Sequence, residues 1–412
     1  MSDAGLSATA LVVLEAPGRA GTDEAAGAAL ERVLGWVADA AQQQGRRVVR
    51  GAFAIDELRA SGVTRLVVAG RWTEQGVLDT VRAGQAAGLE VDVLEDATLA
   101  TTSSRQMRAV REAAALGARI RSWGDMISEG EHAVRVGPFA DGTTWLWCNV
   151  LREALGDVSA VFGAIEREVS WNRMVHRGGE VPRLVALQGP VEPDGVEPLY
   201  RHPADEQPPM HAWTPWVDRV RRAVEDRVGF ELNHGLLQLY RHGRDWISEH
   251  ADKTLDLRRP SVIVNVSFGQ QRTMVLRPKQ GNGLTEKVPL PDGSLLVMSL
   301  ATNRTHYHAI RQQNGLDGAR ISLTFRSIGT FWDRASGAVW GAGARSADRA
   351  EAERRAAERR ALDPAVRRER EREEATAMLR LFRQENGDDA FDAGTAYRPG
   401  FEVADLRVLN EG

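Results

Sequence analysis

Three residues, His250, Asp252 and His308, constrain the fold of this 412-residue chain more than any other feature. His250 and Asp252 are two positions apart, so both side chains leave the same face of a strand. His308 follows a second strand pattern at residues 293–300. Two imidazoles and one carboxylate can cap one face of an octahedral ion and leave three positions open. The sequence therefore predicts a fold that brings these strands together around one metal ion.

The open positions of this donor set indicate its chemistry. Non-haem Fe(II) oxygenases need such positions for O₂ and for an oxidisable co-substrate. A third strand pattern, at residues 320–326, alternates so that Arg320, Ser322 and Arg326 share one face. Because a guanidinium binds a carboxylate through two parallel hydrogen bonds, these arginines suit a pocket for a carboxylate co-substrate. The alternative is that both arginines are ordinary exposed charges.

Several motifs recur in an order and with gaps that resemble the AlkB family of Fe(II)/2-oxoglutarate dioxygenases. The resemblance covers residues 160–332 and is nearest to the fungal and bacterial branch of that family. Its motifs are Leu236-Leu-Gln-Leu-Tyr240, His250-x-Asp252, Gly293-Ser-Leu-Leu296, Tyr307-His308 and Arg320-x-x-Leu-Thr-Phe-Arg326. The fold that the resemblance implies is a double-stranded β-helix, in which two sheets form a jelly roll with the metal at its open mouth.

The resemblance also implies roles for the site residues. His250, Asp252 and His308 hold Fe(II), and His306 is a rival for the last position. Arg320 grips the distal carboxylate of 2-oxoglutarate, while Arg326 supports Asp252 or the proximal carboxylate. The residues expected around 2-oxoglutarate are Arg320, Arg326, Tyr240, Gln238 and Ser322. With Fe(II), 2-oxoglutarate and O₂, the family hydroxylates a carbon–hydrogen bond, and an N-methyl group hydroxylated in this way is released as formaldehyde.

More than one substrate class fits this chemistry. The resemblance implies oxidative demethylation of N-alkylated nucleobases in DNA or RNA, with the base extruded from its stack. Trp171, Met174, Arg183 and Tyr200 lie where the family builds its substrate lid. Residues 168–182 are shorter than the lid of duplex-repair relatives, which favours single-stranded or mononucleotide-sized substrates. The alternatives are a small-molecule hydroxylase or demethylase of secondary metabolism, and a binding module whose metal centre is structural.

Residues 9–102 alternate strands and helices, which is typical of a doubly wound, Rossmann-like parallel sheet. The run at residues 52–77 resembles the isochorismatase-like cysteine hydrolases. Gly76 stands where that family has its nucleophilic cysteine, Glu15 replaces an early aspartate, and the segment contains no lysine. Because glycine offers no thiolate, we expect a degenerate domain without hydrolase activity. Its remaining roles are scaffold, docking surface or ligand sensor.

The sequence divides into four segments. They are a degenerate isochorismatase-like α/β domain at 1–104, a connecting helical segment at 105–159, an AlkB-like dioxygenase domain at 160–334 and a charged helical extension at 335–412. The single cysteine, Cys148, excludes internal disulfides and is expected to be inert packing. Neither a membrane span nor a signal pattern is found, so we expect a cytoplasmic protein without a membrane partner. The net charge of −4 gives no general attraction to nucleic acid.

Overall fold

The computed structural model describes residues 8–15, 24–51, 53–71, 73–176, 179–203, 209–281 and 283–409. Its amino-terminal strands are β1 (Thr9–Leu14), β2 (Arg47–Arg50), β3 (Arg65–Arg71), β4 (Glu90–Leu99) and β5 (Arg119–Arg121). The helices around them are α1 (Glu24–Gln43), α2 (Ile55–Ala60), α3 (Leu78–Ala86), α4 (Ser103–Ala115) and α5 (Trp123–Ile127). The strands form a parallel sheet in the order β2-β1-β3-β4-β5, so the predicted alternation of strands and helices is confirmed.

The rest of the described chain is built mainly on two facing sheets. Its strands are β6 (Val134–Phe139), β7 (Thr144–Cys148), β8 (Asn172–His176), β9 (Gly179–Gly189), β10 (Val196–Pro198), β11 (Met210–Ala212), β12 (His234–Tyr240), β13 (Ile247–His250), β14 (Val262–Gly269), β15 (Arg272–Pro278), β16 (Glu286–Leu290), β17 (Ser294–Ser299), β18 (His306–Ile310), β19 (Arg320–Arg326), β20 (Thr330–Asp333) and β21 (Ala338–Gly341). The larger sheet runs β11-β9-β12-β19-β14-β17-β7-β6, with β8 beside β9, and the smaller runs β13-β18-β15-β16. Leu276 and Ile310 of the smaller sheet share a buried cluster with Tyr240 and Leu296 of the larger one. The sheets therefore pack face to face.

Helices cover the outer face of the larger sheet. They are α6 (Arg152–Leu155), α7 (Val158–Glu168) and α8 (Pro215–Val228). Val161 and Val220 are fully buried in one cluster with Leu237 and Leu323 of the sheet. Helix α8 braces this sheet through its buried residues Val217, Val220 and Val224.

Residues 105–159 differ from the helical connector that the sequence predicts. Helix α4 and strand β5 complete the amino-terminal sheet, whereas β6 and β7 pair with each other and with β17 of the larger sheet. The physical reason is burial of an alternating apolar face. Val134, Val136 and Leu146 are buried in the core, so this stretch forms strands.

Helices α1 and α5 join the amino-terminal sheet to the facing sheets. The ring of Trp36 in α1 lies 6.4 Å from that of Trp123 in α5 and 4.4 Å from that of Phe139 in β6. Gln43 donates to the carbonyl of Arg135 at 2.9 Å and accepts from its backbone N–H at 3.0 Å. One continuous buried cluster therefore spans both parts of the chain.

The carboxy-terminal helices fold back onto the facing sheets. The remaining helices are α9 (Leu300–Thr305), α10 (Arg349–Arg360), α11 (Pro364–Gly387) and α12 (Ala393–Ala396), followed by a 3₁₀ turn (Leu406–Leu409). Pro364 is the first residue of α11 and separates it from α10, because proline fits the first turn of a helix but not its interior. Arg201, which is buried, donates to the carboxylate of Asp256 at 2.6 Å and to the carbonyls of Phe401 and Val403. None of the helices in the described ranges has the length and apolar character that a membrane crossing requires.

Candidate active site

The smaller sheet brings His250 and His308 side by side. They are direct partners in the antiparallel pair of β13 and β18, and their ring centroids are 4.1 Å apart. Asp252 follows β13, and its Oδ1 lies 3.9 Å from Nε2 of each histidine. One ligand atom from each of the three residues falls within a span of 4.8 Å. The three predicted ligands therefore meet at one point.

Arg326 orients the carboxylate of Asp252. Its Nε and Nη2 both donate to Oδ2 of Asp252, at 2.9 and 2.7 Å. The second oxygen, Oδ1, is thereby left to face the two histidines. This division of the two oxygens prepares Asp252 to bind a metal through one atom.

The protonation state of the site suits metal binding. Nδ1 of His250 lies 2.8 Å from the carbonyl oxygen of Ser248. Because a carbonyl only accepts, Nδ1 carries the proton in the neutral ring, and Nε2 keeps its lone pair. Burial lowers the pKa of His308 to about 3 and also lowers the pKa of His250. Burial alone would raise the pKa of Asp252, but Arg326 and then the two histidines hold it below its usual range.

Asn303 supports the loop that carries Asp252, called the metal loop below. Sequence reasoning did not identify this role. Its Oδ1 accepts from the backbone N–H of Asp252 at 2.8 Å, and its Nδ2 donates to the carbonyl of the same residue at 2.9 Å. Asn303 is 1% exposed, so this pair of bonds fixes the backbone that carries the carboxylate. This role could have been inferred from the position of Asn303, which lies just before the strand that carries His308.

Arg320 forms the base of a second polar site, in the larger sheet. Its Nη2 donates to Ser267 at 2.8 Å and to Asn265 at 3.1 Å, while Nε and Nη1 are buried and have no hydrogen-bond partner among the described residues. Burial lowers the pKa of Arg320 to about 10, so the group stays charged at neutral pH. Buried N–H groups without a partner are costly, so this site calls for an anionic ligand.

The other residues predicted around 2-oxoglutarate lie beside Arg320. The hydroxyl of Tyr240 donates to Oε1 of Gln238 at 3.0 Å, and the guanidinium carbon of Arg320 lies 5.2 Å from the centre of the Tyr240 ring. Ser322 accepts from Asn265 at 2.7 Å. Asn265 was not singled out in the sequence, although a lone amide in an apolar strand was a usable signal. The donors present fit a dicarboxylate that has one end at Arg320 and the other at the metal ligands.

A cavity of about 880 Å³ connects the two polar sites. Its walls include three of the residues predicted to contact substrate, Met174, Arg183 and Tyr200. Arg183 is 7% exposed and donates to the carbonyl of Trp246 at 3.0 Å. The hydroxyl of Tyr200 accepts from the backbone N–H of Lys253 at 3.0 Å, so Tyr200 also braces the metal loop.

Trp171 and His306 lie outside this arrangement. Trp171 is not among the residues that line the cavity, and its indole N–H donates to the carbonyl of Glu166 at 3.1 Å. It is partly buried against the cluster that the larger sheet forms with its covering helices, so the structure does not place it with the other three residues predicted to contact substrate. His306 is not part of the ligand cluster, and its Nδ1 lies 2.9 Å from the hydroxyl of Thr305.

Both predicted resemblances are found in comparisons with known families. Residues 151–326 match the 2OG-Fe(II) oxygenase superfamily, and residues 54–125 match the isochorismatase domain. Human "DNA oxidative demethylase ALKBH2" is 36% identical over 123 residues, which cover 28% of this chain and 47% of that protein. Bovine "Alpha-ketoglutarate-dependent dioxygenase alkB homolog 3" is 28% identical over 186 residues, which cover 42% of this chain and 63% of that protein. The chain spans about half the length of the curated relatives that it matches.

Proposed function

We propose that this chain, which carries an AlkB-like domain of the 2OG-Fe(II) oxygenase superfamily behind an isochorismatase-like domain, is an oxidative demethylase of N-alkylated nucleobases. The observation that carries the proposal is the arrangement of His250, Asp252 and His308 at one end of a cavity that also contains Arg320. One relative is itself named a DNA oxidative demethylase. That name supports a nucleobase substrate over an unrelated small molecule.

The proposed architecture is a jelly roll with the metal at its mouth. The two facing sheets, with β13 and β18 in the smaller one, agree with a double-stranded β-helix. In this proposal the oxygenase unit includes residues 160–334, with the amino-terminal α/β unit and the helical extension packed around it. The segment at 105–159 is shared between the units rather than lying between them.

The proposed cofactors are Fe(II), 2-oxoglutarate and O₂, which together supply the oxidation that hydroxylates the alkyl carbon. His250, Asp252 and His308 would hold the metal, and Arg326 fixes the carboxylate of Asp252. Arg320 would bind the distal carboxylate of 2-oxoglutarate through its free N–H groups. The polar side chains that line the same pocket are those of Tyr240, Gln238 and Ser322.

We expect the apolar part of the cavity to keep water from the reacting carbon. The residues that line the cavity include Leu296, Met274 and Met298. An apolar wall favours a flat alkylated base and excludes competing water. Met174, Arg183 and Tyr200 would contact that base, which must leave its stack to enter. A single-stranded substrate needs no base pair to be broken, so we expect it to be preferred.

The proposal is tested by following succinate and formaldehyde together. The purified chain is given Fe(II), 2-oxoglutarate, O₂ and single-stranded oligonucleotides that carry 1-methyladenine or 3-methylcytosine. We expect succinate formation to be stimulated by the methylated strand, with formaldehyde in equal amount. His250→Ala should abolish both products.

The matched control is His306→Ala, which removes a histidine two positions from His308 but outside the ligand cluster. This variant should keep both products. Succinate without formaldehyde from any methylated strand would overturn the nucleobase assignment and keep the oxygenase. The absence of succinate from the unaltered chain under every condition would overturn the oxygenase assignment itself.

A further inference from the structure

One face of helix α11 forms a wall of the catalytic cavity. The residues of this helix that line the cavity are Leu379, Phe382, Arg383, Asn386 and Gly387. Their spacing of three, four, seven and eight positions from the first residue places them on one stripe of an α-helix. Leu406 and Leu409 of the following 3₁₀ turn extend the same wall. The wall comes from outside the segment at 151–326 that matches the oxygenase superfamily.

The wall is tied to the loop that carries the metal ligands. Oδ1 of Asn386 accepts from the backbone N–H of Ala251 at 3.1 Å and from the ammonium of Lys253 at 3.3 Å. The carboxylate of Glu385 accepts from the backbone N–H of Thr254 at 3.0 Å. These bonds hold α11 at a fixed position relative to Asp252. A side chain on the stripe therefore has a defined place at the cavity.

The acidic side chains that line the described cavity already have arginine partners. Asp252 is paired with Arg326 at 2.7 Å, and Glu180 is paired with Arg173 at 3.0 Å. Fe(II) and the 2-oxoglutarate dianion carry equal and opposite formal charges, so loading them adds no net charge. Positive charge in the cavity wall is therefore left for a further anion.

Arg383 is the exposed cation of this wall. Among the described residues it has neither a hydrogen bond nor an ion pair, whereas Arg349 and Arg354 of α10 each pair with a glutamate four positions on. A planar guanidinium binds two phosphate oxygens at once, which makes arginine suited to this task. The apolar neighbours on the stripe offer a surface for a sugar or a base.

We propose that α11 is a specificity-determining wall, in which Arg383 binds the phosphate of an N-alkylated nucleotide whose base enters the cavity. The inference rests on the proposed function, because it takes the substrate to be an alkylated base. The phosphate belongs either to a free nucleotide or to a nucleic-acid strand. The neutral nucleoside lacks this group and should bind more weakly.

The test is equilibrium binding under nitrogen, where the full chain loaded with Fe(II) and 2-oxoglutarate does not turn over. Calorimetric titration compares 1-methyladenosine, its 5′-monophosphate and a short single strand that contains 1-methyladenine. We expect at least one phosphate-bearing form to bind about tenfold more tightly than the nucleoside, as a charge-assisted contact should give. Arg383→Ala should abolish this difference, and Arg383→Lys should keep part of it.

Arg380→Ala is the matched control, since Arg380 is exposed on the same helix but does not line the cavity. It should leave all three affinities unchanged. Tighter binding of the monophosphate identifies a free nucleotide, and tighter binding of the strand alone identifies a nucleic acid; either result supports the proposal. Equal affinities for nucleoside and both phosphate-bearing forms would overturn it, as would equal losses in the two alanine variants. If binding follows the expected pattern but air produces no formaldehyde, the proposed function fails and the phosphate site stands.

Discussion

Asp252 presents its two carboxylate oxygens to different neighbours, because Arg326 binds only one of them. Oδ2 takes both donors of the arginine, and Oδ1 is left for the metal. Arg326 is 3% exposed, so removing its charge leaves Asp252 as an unpaired anion in a buried site. The arginine thus supports both the geometry of the ligand and the stability of the loop that carries it.

Arg326→Met is expected to weaken metal binding by about 10- to 100-fold, because the carboxylate loses its orienting partner. It should also destabilise the metal-free protein by about 3–5 kcal/mol. Titration with Co(II) and thermal unfolding without metal measure the two effects. Arg311→Met is the control, since Arg311 is exposed and pairs with Glu249 at the surface. Unchanged metal affinity in Arg326→Met would contradict the role given to this arginine.

Glu129 is held by a cluster of arginines beneath the amino-terminal sheet. Arg46 donates to it at 2.6 Å and Arg65 at 3.1 Å, and Arg121 is a third partner. Burial opposes ionisation of Glu129, but Arg121 and then the other arginines hold its pKa below the ordinary value of 4.5. The stabilisation from a lowered carboxyl pKa is complete above 4.5 and is lost as the pH falls through the lower, folded value.

Glu129→Gln should therefore lower the thermal midpoint strongly at pH 7, with a loss of about 3–5 kcal/mol, because the buried Arg46 loses its carboxylate partner. The difference from the unaltered chain should shrink as the pH falls below 4.5. Thermal unfolding at several pH values measures this, with the exposed Glu57 replaced by Gln as the control. If the stability difference between Glu129→Gln and the unaltered chain grew as the pH fell, the pKa of Glu129 would not be lowered in the folded protein.

Among the elements, helix α11 has both a charged, exposed face and an apolar, buried face, and its charge pattern indicates only the first. Its many charges predict a solvated helix, and one of its faces is solvated. The opposite face places Met378 and Phe382 in a buried cluster and Leu379 at the cavity. Narrowing the cavity at this wall should hinder a base more than it hinders the smaller 2-oxoglutarate.

Leu379→Trp is expected to lower kcat/KM for a methylated strand by about tenfold, because the added ring occupies space that a base needs. The affinity for 2-oxoglutarate, measured by anaerobic titration, should stay the same. Gln384→Trp, at an exposed position of the same helix, controls for the substitution itself. Equal activity in both variants would remove α11 from the substrate path.

Local patterns predicted the elements that carry the metal ligands, because strand periodicity fixes which side chains share a face. The pairing of His250 with His308 and the turn of Arg326 toward Asp252 follow from that periodicity together with the family motifs. Contacts between distant segments escaped prediction. The bond from Thr254 to Glu385 joins residues 131 positions apart, and no local pattern encodes it.

For the molecule as a whole, the amino-terminal unit and the facing sheets share one core. Trp36 and Trp123 on one side pack with Phe139 and Val136 on the other. Separate domains usually meet through smaller and more polar interfaces. The amino-terminal unit thus buries part of the facing sheets.

Removing residues 1–127 should therefore leave a poorly soluble protein with a lower thermal midpoint, because the apolar face of β6 becomes exposed. The full chain should unfold in one transition by calorimetry. The substitution Trp36→Ala tests the same contact in the intact chain and should lower the midpoint by an amount equivalent to about 3–5 kcal/mol. A soluble truncated chain with an unchanged midpoint would show that the two units are independent.

The shared core also limits how the amino-terminal unit can change over evolutionary time. We expect the exposed positions of this unit to accept many residues, whereas Thr73, Val77 and Leu78 beside Gly76 are buried and should accept few. The positions of α1 that pack against β6, such as Trp36, also support the facing sheets, so we expect them to accept few residues. In a saturation library selected for the proposed activity, substitutions in the amino-terminal unit should be tolerated at its exposed surface and rejected where it packs against the facing sheets.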